Sequence, residues 1–140
     1  MIHLYISLLL LIGIQGTSDP KTVIREKLHK QIECWNKGDL ECYMETAYWQ
    51  SDSLKFIGGT GITYGWERTL QRYKVGYPTQ KDMGKLEFKI ISMDMIGNNA
   101  CFVTGRYHLT RETKDDEGYF SLLWKNIDDD WVIVADHSSN

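Results

Sequence analysis

The sequence has no excess of positive charge: 16 Lys and Arg stand against 19 Asp and Glu, a net charge of −3. No basic patch breaks the pattern, so counterion release offers nothing to bind nucleic acid with, and no nucleic-acid partner is expected. There is no Cys-X-X-Cys pair and no His/Cys/Asp/Glu set at metal-ligand spacing, so neither a metal nor a cofactor is expected. Gly58-Gly59-Thr60-Gly61 lacks the Lys-Ser/Thr end of a phosphate loop. Asp128, Asp129 and Asp130 lack the Gly-spaced loop and distal Glu of a calcium site, and read as a solvated turn. No Ser–His–Asp or Cys–His arrangement is apparent, and repeats, linkers and low-complexity tracts are missing as well.

The one long apolar run, Leu4 to Ile14, is too short to span a bilayer as a helix, which needs about 20 residues. Followed by the small residues Gly16, Thr17 and Ser18, it reads as a secretory signal over residues 1–18. Its start carries no Lys or Arg, only His3. The mature chain is then expected to be exported, periplasmic or extracellular, with no membrane partner, and residues 19–140 to form a single domain. Only three Cys are present, Cys34, Cys42 and Cys101. They read as small buried hydrophobes, with a Cys34–Cys42 bridge left open; an odd count leaves at least one thiol free.

What the chain does have is aromatic residues: five Trp, eight Tyr and four Phe. Five Trp exceed what the packing of a small domain asks for, and imply a cavity lined by rings. Asp19-Pro20 opens a helix whose apolar stripe is Ile24, Leu28, Ile32 and Trp35, ending at Asn36-Lys37-Gly38. Asp39 caps a second helix with Leu40, Tyr43, Met44 and Ala47 inward. Short strands follow at 54–57 and 62–64, then a helix from Gly65 with Trp66, Leu70, Tyr73 and Tyr77 on its stripe, closed by Pro78. A polar loop runs to Gly84. Long strands at 86–96, 100–111, 119–127 and 131–137, joined by short polar turns, make an antiparallel meander. Helices first and then a sheet is α+β.

Side chains alternate along a strand, so parity sorts the faces. A two-residue turn at Asp128-Asp129 sets Trp124 across from Ile133, Leu122 from Ala135 and Phe120 from His137. The apolar face is then Phe120, Leu122, Trp124, Trp131, Ile133, Ala135 and His137. On the preceding strand Cys101, Val103, Gly105, Tyr107 and Leu109 point in, while Arg106 and His108 point away. By this parity Asp136 lies on the outer face with Ser121, and His137 is the polar group inside; a one-residue bulge would reverse the pair.

Three segments resemble the nuclear transport factor 2-like superfamily, the cone-shaped fold shared with SnoaL-like cyclases and ketosteroid isomerase. They are the stretches 31–39 (QIECWNKGD), 62–66 (ITYGW) and 118–125 (GYFSLLWK). The close, 131–138 (WVIVADHS), is similar to the last strand of SnoaL-like domains and of the calmodulin-dependent kinase association domain. Together they are most similar to small exported bacterial members of unassigned function. The resemblance covers the chain after Ser18. It implies three N-terminal helices packed in the concave face of a strongly curved antiparallel sheet, and a homodimer paired through the outer sheet face. Because the superfamily hosts isomerases, cyclases, dehydratases and non-catalytic modules, it implies a fold more than a reaction. The carboxylate base, Tyr and protonated Asp of ketosteroid isomerase find no matching trio on these inward parities.

The candidate catalytic residues are therefore His137, as general base, and Tyr107, as hydrogen-bond donor, with Tyr64 a second donor. Trp35, Trp49, Tyr64, Trp66 and Trp124 are the candidate ligand-binding rings. The function expected is binding of a small apolar or amphipathic ligand, with proton transfer of an isomerase or lyase type as its chemistry. The alternative is a non-catalytic dimeric interaction module. The sequence does not decide whether the protein is an enzyme. A redox role for Cys34 or Cys42 would need an exposed thiol of lowered pKa.

Overall fold

The computed structural model describes Gly16 and residues 18–139. The apolar segment read as an export signal lies outside them. Among the described residues two helices come first, α1 (Pro20–Asn36) and α2 (Leu40–Ala47), each opened by an aspartate. The Asp19 carboxylate accepts from the Thr22 backbone N–H at 3.1 Å, and Asp39 accepts from Cys42 at 2.9 Å, so each satisfies a backbone donor that the first helical turn leaves free. Along α1 the buried positions are Ile24, Leu28, Gln31, Cys34 and Trp35. Gln31 takes the innermost place expected of Ile32, because its amide can donate to the Tyr43 carbonyl of α2 at 3.2 Å.

Cys34 and Cys42 form a disulfide across the α1–α2 turn, and Cys101 is the free, buried cysteine. The bridge closes a loop with a sequence separation of 8. Restricting the unfolded chain over a loop of that size contributes about 2.5 kcal/mol. Cys42→Ser is accordingly expected to lose that much in urea unfolding, and reductant to bring the wild type down to the same value. Coincident curves for oxidised wild type and variant would count against a stabilising bridge.

The hairpin of β1 (Lys55–Gly58) and β2 (Gly61–Tyr64) leads into α3 (Trp66–Gly76). The stretch expected as a polar loop contains a fourth, one-turn helix, α4 (Gln80–Met83). It exists because Thr79 and Asp82 cap each other reciprocally. Four long strands complete the chain: β3 (Lys85–Ile96), β4 (Ala100–Thr110), β5 (Asp116–Ile127) and β6 (Asp130–Ser139). The six strands form one sheet in the order β2-β1-β6-β5-β4-β3. The architecture is α+β, with the helices against one face. The sheet is mixed rather than wholly antiparallel, since β1 runs parallel to β6. That pairing spans most of the chain, and the local turns that suggest a meander carry no trace of it.

Asp128 and Asp129 both have positive φ, 51° and 63°, the conformation of a two-residue hairpin turn whose twist matches its strands. Trp124 faces Ile133, as parity requires. The register then shifts between Leu123 and Trp124: Leu123 pairs with Ala135, leaving Val134 as the extra residue of a β-bulge. Beyond it Leu122 faces Asp136, Ser121 faces His137 and Phe120 faces Ser138. Every side chain of β6 after the bulge has changed face. On β4 the expected parity holds, with Cys101, Val103, Gly105 and Leu109 buried. Gly105 is needed there: a Cβ would collide with the Phe120 ring and come within 2.8 Å of the Lys89 carbonyl oxygen.

Candidate functional site

Between the helices and the sheet lies a cavity of about 430 Å³, the scale of small-molecule sites. Its helical side is a cluster of rings packed edge to face. Trp35 meets Tyr43 at 5.2 Å and Tyr77 at 4.9 Å between centroids, and Tyr43 meets Tyr73 at 5.5 Å. Such contacts add about 0.5–1.5 kcal/mol each beyond burial, and so hold the wall rigid. α4 anchors it from behind, the Met83 carbonyl accepting the Trp35 indole N–H at 3.1 Å. The sheet side contributes Phe88, Tyr107, Phe120 and Ile133.

Two carboxylates enter this lining, Asp116 of β5 and Asp136 of β6. Asp136, 3% exposed, projects from β6 between Phe56 of β1 and Leu122 of β5, its ladder neighbours. The Tyr48 hydroxyl donates to its Oδ2 at 2.5 Å and the Ser138 hydroxyl to its Oδ1 at 2.9 Å. The Tyr73 hydroxyl is 3.3 Å from that of Tyr48. Tyr48 has a single proton, and it is committed to the carboxylate. With Asp136 ionised, Tyr73 therefore donates to Tyr48, and the three form a relay that can reverse when Asp136 is protonated.

Burial pushes the Asp136 carboxyl up to about 6, while the hydrogen bonds from Tyr48 and Ser138 and the nearby His137 hold it down. Burial, and then the Asp136 charge, raises the Tyr48 hydroxyl well above its ordinary range; burial, and then Tyr43 and Asp136, does the same for Tyr73. Burial and the Asp116 charge push Tyr107 up to about 12. The tyrosines are thus neutral donors at physiological pH, and Asp136 is a group that exchanges its proton near neutrality, the property a general acid–base needs. Among the described residues no three His, Cys, Asp or Glu side chains gather to hold a metal ion.

The structure brings two of the residues expected at the site, Trp35 and Tyr107, into the cavity wall. The others lie elsewhere. His137 is exposed on the outer face opposite Ser121, because the bulge reverses its parity; the inward position assigned to it belongs to Asp136. Trp124 is fully buried in the core between Cys101 and Ile133. Trp66 packs on the core at the start of α3 but does not line the cavity. Tyr64 is 49% exposed on the edge strand β2. Trp49 is half-buried just beyond α2 and outside the lining, its backbone bonded to Ile133. Missing from the expectation were Asp136 and Tyr48. Tyr43, Tyr73 and Tyr77 sit on the inward stripes of their helices, so periodicity marks them as inward. Asp136 would have needed the bulge.

No family model matches the chain, and no curated protein matches it. Solved structures do. An NTF2-like protein of unknown function from Shewanella oneidensis MR-1 is 42% identical, over 87% of this chain and 100% of that one, with a TM-score of 0.83. A nuclear transport factor 2 (NTF2-like) superfamily protein from Salmonella enterica serovar Typhimurium LT2 is 21% identical over 87% and 93% of the two chains, TM-score 0.66. A ketosteroid isomerase-like protein from Erwinia carotovora atroseptica SCRI1043 is 14% identical over 88% and 97%, TM-score 0.67. The last two are likenesses of fold alone.

Proposed function

This chain belongs to the NTF2-like superfamily, and from that premise we propose that it binds a small apolar or amphipathic molecule in its aromatic cavity and moves a proton on it. The observation that carries the reading is Asp136: a carboxylate in an apolar wall, hydrogen-bonded to Tyr48, with its pKa raised to about 6 by burial. Asp136 takes a proton from an acidic C–H of the ligand and returns it to the same or a neighbouring carbon. Return to a neighbouring carbon is an isomerisation, and return to the same carbon is exchange or epimerisation. Where a leaving group departs from the neighbouring carbon instead of the proton returning, the net change is an elimination. Tyr107, a neutral hydroxyl on the cavity wall, is the donor to oxygen that gains charge as the proton leaves. His137 has no part in it, being on the opposite face of the sheet.

The test is native mass spectrometry of the protein taken undenatured from its own host, followed by incubation of any retained molecule with fresh protein in heavy water. Deuterium uptake is expected with wild type and His137→Ala, and a drop of about 10²–10⁴ with Asp136→Asn, the usual contribution of a general base. Equal uptake with Asp136→Asn, or an empty cavity that no apolar probe enters, would sink the proposal.

A second reading has one observation in its favour. The outer sheet face exposes Phe102 and Tyr119, 39% and 57% accessible, with Arg106 lying 5.1 Å over the Tyr119 ring. We propose that this face pairs two copies, which the same mass spectrum reads as a dimer; a monomer at micromolar concentration would refute it. Export from the cytoplasm, also a proposal, suits the Cys34–Cys42 disulfide.

A further inference from the structure

We propose that the ligand is an amphipathic monoanion, an apolar body bearing one carboxylate, seated with its head outward between Arg72 and Arg111. This names the substrate class of the cavity described above and rests on that reading.

Both arginines line the cavity. Arg72, half-buried on α3, is fixed by neutral groups only: Nη1 donates to the Thr63 hydroxyl at 3.0 Å and Nη2 to that of Thr60 at 3.4 Å. Its guanidinium lies 4.9 Å from the Phe56 ring centre. Gly58 makes the approach possible, since a Cβ there would collide with Nη2. Arg111, just past β4, is fixed by backbone carbonyls: Nε donates to Lys114 at 2.9 Å and Nη1 to Asp82 at 3.4 Å. Neither guanidinium forms an ion pair among the described residues, whereas Arg106 on the outer face pairs with Glu117 at 3.4 Å. Two guanidinium groups held in place by neutral partners, with donors to spare, are matched to an oxyanion.

The surrounding charges set the ligand's orientation. Asp116 also lines the cavity, across the ladder from Leu109, so the lining at this end carries two positive charges and one negative. Asp115, outside the lining, is engaged by His108 at 2.9 Å and by the Arg111 backbone N–H at 3.1 Å. The balance of one suits a monoanion. Arg72 reaches Gly58 at the end of β1, and Arg111 follows the end of β4. β1, β6 and β4 run in the same direction through the sheet, so both ends lie along the same margin of it and the two charges share one end of the cavity. Asp136 is the other negative group in the lining, and above about pH 6 its charge repels a second anion. The head therefore stays with the arginines, and the apolar body reaches along Phe88 and Phe120 toward Asp136 and Tyr48.

The experiment titrates the oxidised protein by calorimetry, at neutral pH and low salt, with acids and their neutral amides: decanoate and decanamide, cinnamate and cinnamamide, naphthoate and naphthamide. In at least one pair the acid is expected to bind about tenfold more tightly or better, as one charge-assisted hydrogen bond allows. The preference shrinks with added salt. It vanishes in Arg72→Gln/Arg111→Gln while amide affinity is kept, and it grows in Asp116→Asn. Amides that bind as tightly as their acids to the wild type would overturn the anion proposal and leave the cavity reading standing. Binding by no member of any pair would overturn both. A preference that survives the double substitution would place the head elsewhere and also overturn the proposal. If the double variant fails to fold, Arg72→Gln and Arg111→Gln are read singly, each expected to shrink the preference; a preference that neither reduces would overturn the proposal.

Discussion

Asp136→Asn is expected to stabilise the protein by up to about 3 kcal/mol at pH 8 and to change it little at pH 4. The reason is linkage. The carboxyl titrates at about 6 in the folded chain and near 3.8 when exposed. Well below pH 3.8 both states hold the proton and the site costs nothing. Between 3.8 and about 6 the unfolded chain ionises while the folded one does not, so stability falls as pH rises. Above 6 both are ionised and the whole difference, about 2 pKa units or about 3 kcal/mol, weighs against folding. Asn keeps the shape and an acceptor for Tyr48 without the charge. Urea unfolding of both proteins from pH 4 to pH 8 should show curves that meet at the acid end and diverge up to about 6. Parallel curves would mean that Asp136 is not held in an unfavourable ionised state. A variant more stable and at the same time inactive is the pattern of a site kept at the expense of stability.

Trp124→Ala is expected to cost about 3–5 kcal/mol, the range for removing a fully buried large ring. Trp124 is 0% exposed, between Cys101 and Ile133, and lies outside the cavity lining. Its indole N–H has no partner among the described residues. Trp124→Phe removes that unpaired donor together with the extra volume, so it should cost much less than Ala. His137→Ala, on the exposed face, should stay within about 0.5 kcal/mol. In the folded fraction of each variant, affinity for a cavity ligand should equal that of wild type. A loss of affinity in folded Trp124→Phe would return this ring to the binding site.

These two residues show how far the chain could be read without its structure. Trp124, Trp35 and Tyr107 all carry the signature of an inward aromatic, and all three do face inward. Parity and helical spacing report which side of an element a residue occupies, and say nothing of whether that side is filled or open at that point. Trp124 meets packed side chains, while Trp35 and Tyr107 meet space, because α1, α3 and the sheet leave a gap only beside the latter two. Arg72 and Arg111 look like ordinary surface charges in the sequence. Their part in the cavity depends on a hairpin and on a turn that fold over from elsewhere in the chain.

The sequence by itself determined three of the four helices, the strands and their order, the two-residue turn at Asp128-Asp129 and the inward faces of β4, of β5 and of β6 as far as Ile133. Each of these is set by neighbours within a few residues: caps, glycines, and apolar side chains at period 2 or 3.6. Tertiary structure alone decided the parallel pairing of β1 with β6 and the bulge at Val134, and through them that Asp136 faces the cavity and His137 the outside. Val134 and Ala135 are both apolar and both half-buried, so neither parity is penalised locally. The choice falls to strands β1 and β5 and to the Tyr48 hydroxyl, which is 88 residues from Asp136 in the chain and 2.5 Å from it in space.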